Sequence, residues 1–144
     1  MIPEFNEHGL LPPGIHMTTL EEFERRFSYF ASSDRRFRLF DKLRELYLVA
    51  KHTGVVKQFI VGGSFVSSKP EPADFDCILV ITAEVVCMDV LPTQYNVVSR
   101  RRVRRIFAGD IFPVIEKSPL HYEMLDLFQT ERGDIQKGIV EIEL

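Results

Sequence analysis

The sequence predicts an α+β (α/β) domain in which a small mixed β-sheet is covered mainly on one face by helices. Three observations carry that expectation. Residues 20–54 place apolar side chains at steps of three and four, the spacing of amphipathic helices. Residues 55–61, 75–81 and 110–115 are short, β-branched apolar runs of strand length. The closing run 139–144, Ile-Val-Glu-Ile-Glu-Leu, alternates apolar with acidic residues as a half-buried strand does.

In chain order, residues 1–16 hold three prolines and two glycines, so no period survives. They read as an extended arm whose Ile2, Phe5, Leu10, Leu11 and Ile15 pack on the domain. His8 and His16 read as surface or packing histidines. Thr19 with Glu22 forms a capping box, and Leu20, Phe23, Phe27 and Phe30 make one stripe, giving a helix over 20–30. Ser33 or Asp34 caps a longer helix with Phe37, Phe40, Leu43, Tyr47 and Ala50 inward, which Gly54 stops. Val55–Val61 is the first strand, Ser64–Ser68 a short helical turn, and residues 75–81 the second strand. Residues 82–94 fit helix or strand, with Pro92 ending either. Residues 96–107 read as one helix bearing Arg100, Arg101, Arg102, Arg104 and Arg105. Residues 110–115 form a third strand, which Pro113 assigns to an edge. Ser118 and Pro119 open a helix to Gln129, with Leu120, Met124, Leu127 and Phe128 inward.

The 144 residues suit one domain, 1–144, and 12 Phe supply bulky core material. A net charge of −3 leaves nucleic-acid binding to a local patch. Five arginines within six residues form one such patch, readable as a phosphate-binding surface or as a solvated face. Cys77 and Cys87 read as reduced thiols of a cytoplasmic protein. MIPEFNEHG has no signal-peptide character, and no apolar run reaches the length of a membrane span, so no membrane partner is expected.

The residues with the most chemistry lie in 59–81, FIVGGSFVSSKPEPADFDCILVI. An apolar strand breaks at Gly62-Gly63-Ser64, where glycine lets a ligand's phosphates approach the backbone. A polar loop follows, and Asp74-Phe75-Asp76 then enters the second strand. In a strand, residues two apart share a face, so Asp74 and Asp76 point together and repel unless a cation lies between them. Hard oxygen ligands of this kind suit Mg²⁺ or Mn²⁺. Taken singly, the turn could be ordinary and the carboxylates merely solvated; the combination favours a metal site.

This stretch resembles the signature of the nucleotidyltransferase-fold superfamily, the DNA polymerase β-like transferases. Gly63-Ser64, a spacer of nine residues from Phe65 to Ala73, and Asp74-Phe75-Asp76-Cys77 fit its pattern. The wider run, from LPPGIH through GGSF to KGIVEIEL, also looks like a family of short, uncharacterised bacterial and phage proteins with a nucleotidyltransferase core. The resemblance implies Asp74 and Asp76 as catalytic ligands of one or two Mg²⁺ (or Mn²⁺) ions. It implies Gly62, Gly63 and Ser64 as binders of a nucleoside triphosphate such as ATP. A third carboxylate comes from a later strand in that superfamily. Asp110, opening the third strand, is the candidate, and Glu116, of the same parity, the runner-up.

The implied activity is transfer of a nucleoside monophosphate to a protein or RNA hydroxyl, in a toxin–antitoxin or phage-defence module with a cognate partner. The chain offers no room for the helical domain of templated polymerases or tRNA-tailing enzymes, so neither is expected. Two other readings stand beside it. One is a catalytically degenerate nucleotide- or partner-binding module of antitoxin type, and the other a nucleic-acid binder working through Arg100–Arg105.

Overall fold

The computed structural model describes residues 1–29 and 34–144. The expected inward Phe30 and the alternative cap Ser33 lie outside the described residues. The fold is α+β: strands β1 (Gly14–Thr18), β2 (Val56–Gly62), β3 (Asp76–Ile81), β4 (Asp110–Ile115) and β5 (Gly138–Ile142) make one sheet in the order β1-β5-β2-β3-β4. The outer pairs β1·β5 and β3·β4 are parallel, whereas β5·β2 and β2·β3 are antiparallel, so the sheet is mixed. Pro113 does sit on an edge strand, where its missing N–H leaves no gap in a central ladder.

Helices α1 (Leu20–Phe27), α2 (Arg35–Thr53), α3 (Pro92–Val98) and α4 (Arg100–Ile106) bury their apolar sides with one sheet face, on Phe59, Val61, Cys77, Leu79, Ile81, Ile111, Val140 and Ile142. The other face carries Ile60, Ile78, Val80, Val114 and Ile139, beneath Met124 and Phe128 of α5 (Pro119–Phe128). The alternation along β3 decides which residues face which side: Cys77, Leu79 and Ile81 go to the four-helix side, Ile78 and Val80 to α5. By the same parity Asp76 and Asp110 belong to the α5 face.

Several expectations need correction. The arm of residues 1–16 does not stay irregular. Its end becomes β1, pairing Gly14 with Gly138 and Ile15 with Ile139; Ile2 and Leu11 are buried while Ile15 is exposed. The partner strand lies more than a hundred residues away, so no local period announces it. At Thr19 the hydroxyl does accept from the Glu22 N–H at 3.2 Å, but the Glu22 carboxylate accepts from Ile2 N and Thr18 Oγ1 instead of closing the box. Pro92 begins α3 at its N1 position, where no N–H is needed, and residues 83–87 form a 3₁₀ turn. The expected single helix 96–107 is broken at Ser99, whose hydroxyl caps α4. On α5, Leu120 and Leu127 point outward and His121 takes the inner place, accepting at Nδ1 from Lys117 N–H at 2.9 Å. Among the described residues no helix is long and apolar enough to cross a membrane.

A charged side chain holds the irregular loop after β2. Arg36, on the first turn of α2, is 0% exposed. Its guanidinium donates to the carbonyls of Phe27, Ser64, Phe65, Ser67 and Lys69 at 2.7–3.4 Å. Loop carbonyls taken from water need such donors, and one planar fork supplies them to three stretches of chain. Burial pushes the guanidinium down to about 10, still charged at neutral pH. The stripe expected from Phe37 in fact starts at Arg36, and Phe37 is exposed against Tyr29.

Replacing Arg36 by Met should lower stability by about 3–5 kcal/mol, because several buried carbonyls lose their donors together. Arg36→Lys, with three donors on one nitrogen, should recover only part of that. Urea unfolding measures both, and a loss below about 1 kcal/mol for Arg36→Met would contradict the assigned role.

Candidate functional site

β2 and β3 form the antiparallel hairpin that carries the site, and the chain between them supplies the turn. Gly62 is the last residue of β2, paired with Asp76, the first of β3. Its backbone is extended and buried; a Cβ there would come within 2.7 Å of Phe128 Cδ2, so this glycine makes room for α5. Gly63 differs. It takes φ +73°, and a Cβ on it would lie 2.2 Å from Asp76 Oδ2. Only glycine tolerates both that conformation and that carboxylate. Ser64 follows in a 3₁₀ turn, Gly63–Val66, with its carbonyl turned inward to Ser67 Oγ at 2.7 Å and to Arg36.

Asp76 has a carboxylate neighbour that no local pattern reveals. In the parallel β3·β4 ladder it is the register partner of Asp110, with Asp110 N–H donating to Phe75 O at 2.9 Å. Both therefore open their strands at the same sheet end and on the same face. They line a cleft of about 200 Å³ with Gly63, Phe112, Leu127, Phe128 and Lys137. Phe112 and Phe128 meet edge to face at 5.9 Å and make its aromatic wall.

The sequence-predicted residues divide accordingly. Asp76, Asp110 and Gly63 are brought together. Asp74 lies in the loop just before β3, exposed, with its Oδ1 accepting from Phe75 N–H at 3.2 Å, so the strand argument that aligned it with Asp76 fails by one step of the ladder. Glu116 is at the other end of β4: its N–H bonds Ile81 O, and its carboxylate accepts from Ala83 N–H at 3.0 Å. Lys137, passed over in the polar turn ERGDIQKG, reaches the cleft while bonding Glu131 at 2.9 Å. A lysine in a turn carries no local signal; only the return of β5 to β2 delivers it here.

The electrostatics follow from this crowding. Burial first, then the Asp110 and Asp74 carboxylates, raise Asp76 above its ordinary range, and Lys137 pulls the other way. Arg104 offsets part of the charge by pairing with Asp110 Oδ1 at 2.7 Å. Among the described residues no three of His, Cys, Asp and Glu are gathered as a metal group. The donor set nevertheless fits a hard divalent cation, since half-buried carboxylate oxygens on neighbouring strands repel each other and a cation between them would relieve it. Asp76 and Asp110 would hold it. Asp74 is the nearby third carboxylate, and Arg104 is the group that competes for Asp110.

Two outcomes test this geometry. Gly63→Ala should cost about 1–3 kcal/mol through left-handed strain and the clash with Asp76. Asp76→Ala should recover part of that cost, a coupling that a double-mutant cycle reads; strict additivity would contradict the contact. The second outcome concerns pH. An acid raised in the folded state binds its proton more readily folded than unfolded, so stability falls as pH rises from its ordinary value through the raised one. Asp76→Asn should therefore stabilise the metal-free protein at pH 7, and the gain should vanish below about pH 4. Thermal melts at both pH values check it, and an equal gain at both would contradict the assignment.

No curated protein and no solved structure matches the chain. A family model matches residues 3–143, which takes in every strand and helix described above and the whole cleft. The chain belongs to the family of unknown function DUF6932.

Proposed function

We propose that the protein is a minimal Mg²⁺-dependent nucleotidyltransferase, with its site at the β3·β4 end of the sheet. One observation carries this reading: Asp76 and Asp110 are register partners on one sheet face, and the left-handed Gly63 leaves its Cβ space to the Asp76 carboxylate. A glycine turn beside a carboxylate pair brings a triphosphate's oxygens and a divalent cation to the same place.

The roles follow from the placement of each group. Asp76 and Asp110 hold the metal (Mg²⁺, or Mn²⁺ in its place), with Asp74 drawn in from its loop. The cation, when bound, supplies the charge that orients the acceptor oxygen and neutralises the departing pyrophosphate. The Gly63-Ser64 turn presents backbone N–H groups to the phosphates, and Lys137 adds a cation at the cleft. Phe112, in the cleft wall, offers an aromatic surface against which a base such as adenine would rest. An acceptor hydroxyl of a protein or an RNA attacks the α-phosphorus as its proton passes to a cleft carboxylate and then to water. The bond from that phosphorus to the bridging oxygen breaks, and pyrophosphate leaves. We place this activity in the cytoplasm, where the free thiols Cys77 and Cys87 stay reduced, and within a toxin–antitoxin or phage-defence pair, as the sequence resemblance suggests.

A second reading is favoured by the Arg104–Asp110 ion pair at 2.7 Å. A guanidinium in that place does part of a cation's work, as a catalytically silent nucleotide- or partner-binding module would require.

Labelling from α-phosphate-radiolabelled ATP, with Mg²⁺ and cell lysate, separates the two. Transferase activity predicts labelled product, and a fall of two or more orders of magnitude for Asp76→Asn and for Asp110→Asn, since a positioned metal supplies several kcal/mol and about 1.4 kcal/mol is a factor of ten. Equal labelling by wild type and Asp76→Asn would overturn the proposal. Absence of labelling, with nucleotide binding that ignores Mg²⁺ in calorimetry, would select the silent module.

A further inference from the structure

Helix α4 is RRRVRRI, five arginines in a chain whose net charge is −3. They fall into two sets. Arg100 and Arg104, one turn apart, lie 5.2 and 5.6 Å from the Phe112 ring centroid, and Arg104 holds Asp110. These belong to the carboxylate cleft. Arg101, Arg102 and Arg105 occupy another side of the helix and, with Tyr95 and Ser99, line a separate pocket of about 340 Å³.

That pocket depends on the break at Ser99, which lets α3 and α4 pack against each other. Asn96 of α3 accepts at Oδ1 from both Arg102 Nε and Nη2, at 3.1 and 2.9 Å. The same guanidinium lies 5.5 Å from the Tyr95 ring centroid. So Arg102 is oriented before any ligand arrives, and Tyr95 remains half exposed beside it. Arg101 and Arg105 have no acidic partner among the described residues, and no carboxylate lines the pocket. An unneutralised cluster of this density seeks phosphates, and an exposed aromatic ring within it adds a surface for an unpaired base.

We propose that this pocket docks single-stranded nucleic acid, with a base stacked on Tyr95 and flanking phosphates on Arg101 and Arg105. The ring distinguishes this ligand from others. A free phosphate or an acidic peptide would use the arginines alone, and a duplex keeps its bases stacked on each other and unavailable to Tyr95. Where it is joined to the transferase reading, it makes the acceptor an RNA strand rather than a protein, and that clause alone rests on that reading.

The test is fluorescence anisotropy with a labelled single-stranded RNA of about 12 nucleotides, in EDTA and without nucleotide, so its outcome is independent of the carboxylate cleft. Parallel arms use DNA of the same sequence, an RNA duplex and a polyglutamate competitor. Binding of either single strand in preference to the duplex supports the site, and a preference for RNA assigns the natural ligand. Affinity should fall with salt at a log–log slope of about 1.4 for two phosphate contacts, and Arg101→Gln with Arg105→Gln should remove most of that slope. Tyr95→Ala should weaken binding roughly tenfold with the slope unchanged, while Tyr95→Phe, which keeps the ring, should bind as wild type. No complex at about 50 mM salt, duplex binding as tight as single-strand binding, displacement by polyglutamate, or indifference to Tyr95→Ala would each overturn the proposal.

Discussion

The Arg36 guanidinium fastens three stretches of chain that have no ladder to join them. It reaches the end of α1 at Phe27, the turn after β2 at Ser64 and Phe65, and the following loop at Ser67 and Lys69. The backbone from Gly63 to Lys69 leaves the sheet, so the carbonyls of buried Phe65 and Ser67 rely on Arg36 as their donor. By holding them, Arg36 fixes the path on which Gly63 enters its left-handed conformation against Asp76. The Phe65 ring packs under the same guanidinium, 5.2 Å from it, and stacks on Phe23 of α1 at 5.8 Å. Packing on the four-helix side thus sets the backbone geometry at the opposite face, where the carboxylates lie.

At that face the sheet concentrates charge that it does not fully neutralise. The parallel pairing of β3 with β4 places Asp76 beside Asp110, and the preceding loop adds Asp74. Lys137 and Arg104 answer part of this, but Asp76 is still raised above its ordinary range. Like charges crowded at one cleft are what the proposed cation would relieve. The helix carrying Arg104 also carries the basic pocket around Tyr95, so α4 connects two surfaces of opposite charge.

The elements with strong local periods could be read directly. The Phe and Leu stripes gave both early helices, and the apolar runs at 55–61, 75–81 and 110–115 gave the central and edge strands to within a residue or so. What escaped reading depends on distant partners. Strand β1 is hidden among prolines and glycines because its stabilisation comes from β5 across the chain. Arg36 could have been found: continuing the spacing of Phe40, Leu43, Tyr47 and Ala50 back by four residues lands on it, and a charge on a buried stripe signals a buried polar network. Asp110 was reached as the partner of Asp76 only through the resemblance, because the register that aligns them is not encoded locally by two separate strands. Asp74 was misplaced because the period-two argument holds only inside the ladder, which begins at Asp76.

Whether the carboxylate pair takes a divalent cation can be read without assuming any substrate. Mn²⁺ added in small steps to isotopically labelled protein broadens the amide resonances nearest the bound ion. The account predicts broadening first at Gly63, Cys77 and Ile111, next to the carboxylates of Asp76 and Asp110, and its loss in Asp76→Asn. Broadening centred on other acidic residues, or the same pattern in Asp76→Asn, would contradict it.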